Sequence, residues 1–475
     1  MSPLPKQTLA ILGTPLIICG LALFCLCGCD RQASRPTPTV DAAPAEKLVP
    51  ATVFLDLVTE ENSGALTAIE RIKRSWKPDY LVLLLEAYHF TRNRQAQLEM
   101  EALFEQTTGL KFRGSDFAFY QWLWNRPETS HPDYVEFKRQ LYQRFDPSFS
   151  EYFDDQPAGS IRADELRWGG VQRDGIPPLK NPLMIPAAQA TWLADDHVVF
   201  GVALNGDERA YPKRILAWHE MFKDKVGGLE VNGVYCTLCG SLILYDTTVA
   251  GRQYELGTSG FLYRSNKLMY DAETKSLWST LEGEPVFGPL AGQGIRLQPL
   301  HVVTSTWGEW RKRHPETTVL SLETGHQRDY GEGVAYRTYF ASEELMFPVP
   351  KDDPRLPAKT EILALRNIEG SESLAITAKY LLGHPVLNES LGPQPLVVLT
   401  DPSGANRVYA RRADHEFTAW DSSANTASDS SGATWTVSES GLSGLNGALL
   451  PRLSAHRAFW FAWAAQYPQT RLVKE

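Results

Sequence analysis

Cysteine is scarce in this chain, with six in 475 residues, and Cys19, Cys25, Cys27 and Cys29 all fall at the very start. Only Cys236 and Cys239 lie in the body of the chain. Basic blocks are missing as well. Lys and Arg number 47 against 56 Asp and Glu, the net charge is -9, and no Lys/Arg-rich run appears. That argues against a nucleic-acid binder, which presents a basic face. No phosphate-cradling glycine loop, dinucleotide fingerprint or paired-carboxylate site is visible. "GTSGF" at 257–261 lacks the G-x-S-x-G spacing of a nucleophile elbow. His219 and Glu220 begin an H-E-x-x-H, but Lys223 holds the last position, so the zincin motif fails.

What is present is ordinary globular material, 43% hydrophobic and 22% charged, in a length that suits two or three domains. Lys6 precedes the apolar run "LAILGTPLIICGLALFCLCG", the pattern of a signal peptide. The run ends in Leu26-Cys27-Gly28-Cys29, which resembles the lipobox of bacterial lipoproteins. The resemblance implies cleavage after residue 28 and lipid on Cys29. Residues 29–50, with Pro36, Pro38 and Pro44, then form a solvated linker. An uncleaved membrane anchor is the alternative, since about 20 apolar residues span a bilayer. Either way the expectation is a cell-envelope protein on the periplasmic side, held to the membrane. Asp30 resembles an inner-membrane retention signal.

Residues 51–155 place apolar side chains at three- and four-residue spacing, which predicts a small all-α domain. Its aromatics, Phe117, Phe119, Tyr120, Trp122 and Trp124, read as core, and a protein partner is the role left for these helices. From about residue 160 glycine, proline and short β-branched runs take over, which predicts a β-rich domain with helices at "PKRILAWHEMF" and "STWGEWRKRHP". The fold class is therefore α+β. The pattern W-x-x-W-x-x-x-x-P-x-T occurs at Trp307–Thr317 and again at Trp460–Thr470. It points to a duplicated domain, with copies at about 170–325 and 345–475. "GVYCTLCGSLILYD" in the first would face "PLVVLTDPSGANRVYA" in the second, which has no cysteine.

The stretches "DGIPPLKNP", "RAYPKRILAWHEM", "VYCTLCGSLILYD", "GTSGFLYRSNKLMYDAETKSLWS" and "HPETTVLS" resemble the bacterial and archaeal family called domain of unknown function 3179. The likeness covers residues 160–475. It implies no activity. The family motif is usually Y-C-P-L-C-G, and this chain has Thr237 where proline is usual.

Several readings of the C-x-x-C pair stand open. As a staple it closes a very small ring, worth only about 2 kcal/mol on the chain-entropy formula. As a metal site it supplies two soft thiolates, suited to copper or zinc, with His219, then Met269 and His301, as further ligands. As a redox couple it is a thiol–disulfide pair of an oxidising compartment. "GSLILYD" after the pair reads as strand, which argues against a thioredoxin arrangement. Asp271 and Glu273 read as a turn before a strand. His326, Arg328 and Asp329 form a polar loop. The favoured expectation is a soft-metal site built from Cys236, Cys239, His219 and Met269. The redox dithiol is second, and a non-enzymatic interaction protein with a structural disulfide is third.

Overall fold

Between Ala51 and Tyr152 every described element is a helix, α or 3-10. The computed structural model describes residues 48–58, 62–128, 131–154, 159–367, 372–445 and 447–474. The signal-like run, Cys29 and the proline-rich linker up to residue 47 lie outside them. The helix Arg94–Thr108 shows how local chemistry sets the ends of these elements. The Asn93 side chain accepts the Ala96 N–H at 3.0 Å, and Gly109 stops the helix at φ 74°. Leu81–Tyr88 is apolar on nearly every side and buried accordingly, and its one charged residue, Glu86, is buried with it. Phe119, Tyr120 and Trp124 are buried side chains of the core.

Glu86 is the costly residue in this region. A buried carboxylate needs compensating partners. It accepts from the Tyr134 hydroxyl at 2.8 Å, the Lys138 ammonium at 3.1 Å and the Tyr142 hydroxyl. Lys138 also donates to the Leu166 carbonyl at 2.7 Å, which ties the helices to the first strand, Leu166–Trp168. Aromatic packing continues the join, with Tyr142, Phe149, Tyr152 and Phe153 all set against the Phe261 ring. Val49–Glu475 forms one compact unit.

From Leu166 onward strands dominate, and the chain as a whole is mixed α and β. One sheet runs Val303–Thr306, Val198–Leu204, Asp207–Pro212, Thr318–Leu320 and Met184–Pro186. A later sheet runs His456–Phe459, Glu361–Arg366, Ser373–Thr377 and Arg471–Val473. In each, the first two pairings are antiparallel and the third is parallel. A short helix leaves the third strand in both cases, Lys213–His219 in one and Ala378–Gly383 in the other. Antiparallel meanders follow: Met221–Val226, Leu229–Cys236 and Ser241–Asp246, then Val386–Leu391, Gln394–Thr400 and Asn406–Ala410.

The tryptophan pattern read from the sequence marks matching structure. Trp310 Nε1 donates to Thr317 Oγ1 at 3.0 Å, and Trp463 Nε1 donates to Thr470 Oγ1 at 3.0 Å. All four tryptophans, Trp307, Trp310, Trp460 and Trp463, are fully buried. A second correspondence was not visible in the sequence. Asp271 accepts the Trp278 indole N–H across a turn, and Asp429 accepts that of Trp435 in the same way. Asp271 and Glu273 thus belong to a turn before a strand, with Asp271 holding the N–H groups of Glu273, Thr274 and Ser276.

Leaving a buried indole N–H unpaired costs about 1–3 kcal/mol. Thr317→Val and Thr470→Val are each expected to lower stability by that amount in urea titrations. Unequal losses, one near zero, would show that the two bonds are not equivalent.

Candidate functional site

Cys236 ends the strand Leu229–Cys236, and the next strand begins at Ser241, so both cysteines sit in a two-strand turn. The turn is tight. Cys239 N–H donates to the Cys236 carbonyl at 3.1 Å, and Gly240 takes φ 62°, a conformation that suits glycine. The Cα atoms of Cys236 and Cys239 are 5.2 Å apart and the sulfurs are joined as a disulfide. The equivalent turn of the later meander closes without sulfur. There the Asp401 carboxylate accepts the N–H of Ser403 at 3.0 Å and of Ala405 at 3.1 Å. This turn of the fold does not need a disulfide to form.

The two sulfur residues share one apolar cluster with Val349, Phe459, Phe461 and Ala462 but differ in access. Cys239 is fully buried in it. Its carbonyl accepts the Phe459 N–H at 2.7 Å, so the turn is fastened to the C-terminal half. Cys236, 3% exposed, lines a cavity of about 50 Å³ together with Glu220, Thr237, Lys267 and Tyr336. That space holds roughly three waters, at about one probe sphere for each.

Glu220 is the centre of the polar wall. It caps the helix Lys213–His219 in the left-handed region at φ 54°. One carboxylate oxygen accepts from the Thr237 hydroxyl at 3.1 Å and the Tyr336 hydroxyl at 2.9 Å. The other accepts from the Lys267 ammonium at 2.9 Å. Burial, with the Glu220 carboxylate beside it, pushes the Tyr336 phenol up, so it remains a donor at neutral pH. The Thr237 hydroxyl thus makes a bond that a proline at this position could not make.

His219 faces another way. Nδ1 lies 2.9 Å from the Pro177 carbonyl, which can only accept, so Nδ1 carries the proton. Nε2 then accepts from the Tyr330 hydroxyl at 2.6 Å, and Tyr330 shares a 2.6 Å bond with Thr324. Burial brings the His219 pKa down to about 4, so the ring is neutral at neutral pH. Met269 lies in a separate apolar cluster with Met221, Val234 and Trp278, where its sulfur is 3.6 Å from the Asn232 amide. His301 is half-buried, and burial followed by the Arg452 charge brings its pKa to about 4. His326 lies beside His219, with ring centroids 5.0 Å apart. Arg328 and Asp329 line a wider cleft of about 710 Å³ with Trp218 and Pro177.

Of the residues singled out in the sequence, the structure thus brings together Cys236 and Cys239 but gives His219 and Met269 other neighbours. Among the described residues no group of three or more His, Cys, Asp or Glu side chains is placed to hold one metal ion. Lys267 and Tyr336 were not singled out. A single lysine within "SNKLMYD", a strand buried at every position, was the available signal for the first. Tyr336 comes from a long loop and left none.

Among the described residues no helix is long and apolar enough to cross a membrane. Comparison with curated proteins and with solved structures gives no match. A family match covers residues 173–470, which takes in the disulfide turn, the Glu220 wall and both tryptophan pairs. The chain belongs to the family described as Protein of unknown function (DUF3179).

Proposed function

We propose that this protein is a lipid-anchored protein of the cell envelope whose site is a thiol–disulfide couple, Cys236 and Cys239, with Cys236 as the exchanging sulfur. One observation carries the reading: of two cysteines packed in the same apolar cluster, Cys236 lines a cavity and Cys239 does not. Exchange needs one sulfur within reach of a partner thiolate. Lys267 lines the same cavity, with its ammonium paired to the Glu220 carboxylate at 2.9 Å. Glu220 holds that ammonium in place.

The remaining parts of the reading are architectural. Cys29 carries the lipid, residues 51–155 form a helical domain, and residues 160–475 are a duplicated domain in which one copy keeps the thiols. The paired sheet orders and the matched Trp–Thr bonds support the duplication. A soft-metal centre holding copper or zinc would need donors beyond the two sulfurs. His219 and Met269, the side chains proposed for that purpose, are engaged elsewhere, so the redox reading has the better support.

The test is native-state reduction followed by alkylation. Dithiothreitol without denaturant is expected to open the disulfide, after which iodoacetamide labels Cys236 well before Cys239. A disulfide that opens only when the protein unfolds would make it a structural staple and end the redox reading.

A further inference from the structure

We infer that the exchange partner at Cys236 is a small amino-acid thiol or its disulfide, excluding the cysteine of a folded protein. The inference rests on the redox reading above and adds the class of partner.

Access decides it. Cys236 is 3% exposed and lines the inner cavity of about 50 Å³. That cavity shares Val171, Ile176 and Tyr336 with the outer cleft of about 710 Å³. A cysteine in a folded chain carries its sulfur one methylene from a backbone that, with neighbouring side chains, is about 10–12 Å across when helical, too wide for the inner space. A free amino-acid thiol presents its slim sulfur end and keeps its charged end outside. The outer cleft offers both charges that such a zwitterion needs. Arg328 and Asp329 are adjacent and exposed there. The Arg328 guanidinium donates to the Gln327 carbonyl at 3.0 Å, and one Asp329 oxygen accepts the Gly331 N–H at 2.8 Å. Neither contact neutralises a charge.

The chemistry balances with two small thiols. The thiolate of the first attacks the Cys236 sulfur. The Cys236–Cys239 bond breaks, its electron pair goes to the Cys239 sulfur, and that sulfur takes up a proton. The Ser265 carbonyl, 3.5 Å from the Cys239 sulfur, is the acceptor waiting for the new S–H. The second small thiol attacks the sulfur of the first, and Cys236 leaves as a thiol. Two electrons enter the protein and one small disulfide is released. The reverse sequence oxidises the protein with a small disulfide.

Full-length oxidised protein is mixed with free cysteine or with reduced thioredoxin at equal thiol concentration, and opening is followed by quenched alkylation. Thioredoxin is the stronger reductant, so equal access would favour it. Cysteine is nevertheless expected to be at least ~10-fold faster, because thioredoxin cannot reach the sulfur. Arg328→Gln is expected to raise the half-saturating cysteine several-fold while leaving reduction by the neutral 2-mercaptoethanol unchanged. Thioredoxin outpacing cysteine, or Arg328→Gln slowing both small thiols alike, overturns the inference and leaves the couple intact. Failure of dithiothreitol as well would instead remove the couple itself.

Discussion

Lys138→Met is expected to cost the folded chain about 3–5 kcal/mol, the scale on which a buried ion pair loses one partner. Lys138 is fully buried, and its ammonium serves the Glu86 carboxylate at 3.1 Å and the Leu166 carbonyl at 2.7 Å. Methionine fills a similar volume but leaves a buried carboxylate held only by tyrosine hydroxyls and the Arg167 charge. Burial alone would raise the Glu86 pKa, but Lys138 and Arg167 outweigh it and hold the carboxyl below its ordinary 4.5. A carboxylate with a lowered native pKa contributes stability above its unfolded value, and loses it as pH falls through the native one. Wild-type protein should therefore lose stability below about pH 4.5, and Lys138→Met should lose less on the same descent. Guanidinium titrations at pH 7 and at pH near 3 measure both. A loss under ~1 kcal/mol at pH 7 would mean that the pair is not closed as described.

The second large effect belongs to Arg407. Its guanidinium, 1% exposed, donates to Glu439 at 2.7 Å and to Asp401 at 3.1 Å. Glu439 also takes Arg452 and lies 3.5 Å from His314, which comes from the N-terminal β-rich half. Burial opposes ionisation of Glu439, yet Arg407 and Arg452 outweigh it and hold the carboxyl well below the usual range. Arg407→Met would set Asp401 and Glu439 against each other with Arg452 as the remaining guanidinium. Removing a buried partner again costs about 3–5 kcal/mol. Because Asp401 also closes the sulfur-free turn and Glu439 reaches His314, the damage should spread to both halves. Tryptophan fluorescence and circular dichroism should show one earlier transition. Two separate transitions, with the N-terminal half unshifted, would deny the coupling.

The sequence made the element types and the tryptophan pattern legible because both depend on short-range spacing. Trp307–Arg313 and Trp460–Gln466 are helices, and "SLILYD" is the strand Ser241–Asp246. The cavity was a different problem. Its polar wall joins Glu220 at a helix end, Thr237 in a turn, Lys267 in a strand and Tyr336 in a loop, positions spread over more than a hundred residues. No local period connects them. His219 shows the same limit from the other side. Residue type and proximity in sequence to Glu220 made it a candidate ligand, but its ring direction depends on Pro177 and Tyr330, one upstream and one far downstream. The Asp–Trp turn bonds were missed because the spacing differs between Asp271–Trp278 and Asp429–Trp435, which hides them from a fixed-length pattern.

The aromatic seam around Phe261 has a practical consequence for anyone trimming this protein to its family match, which begins at residue 173. Such a fragment would lose Leu166–Trp168, the antiparallel neighbour of Leu256–Tyr263, and so create a raw sheet edge. It would also uncover Phe261, 1% exposed in the whole chain, beside the bare N–H and C=O groups of that edge. An apolar ring next to an unpaired strand is a template for fibre-like self-association. The strand Leu166–Trp168 thus covers the edge and the helices before residue 160 cover the ring, so a soluble fragment has to carry both.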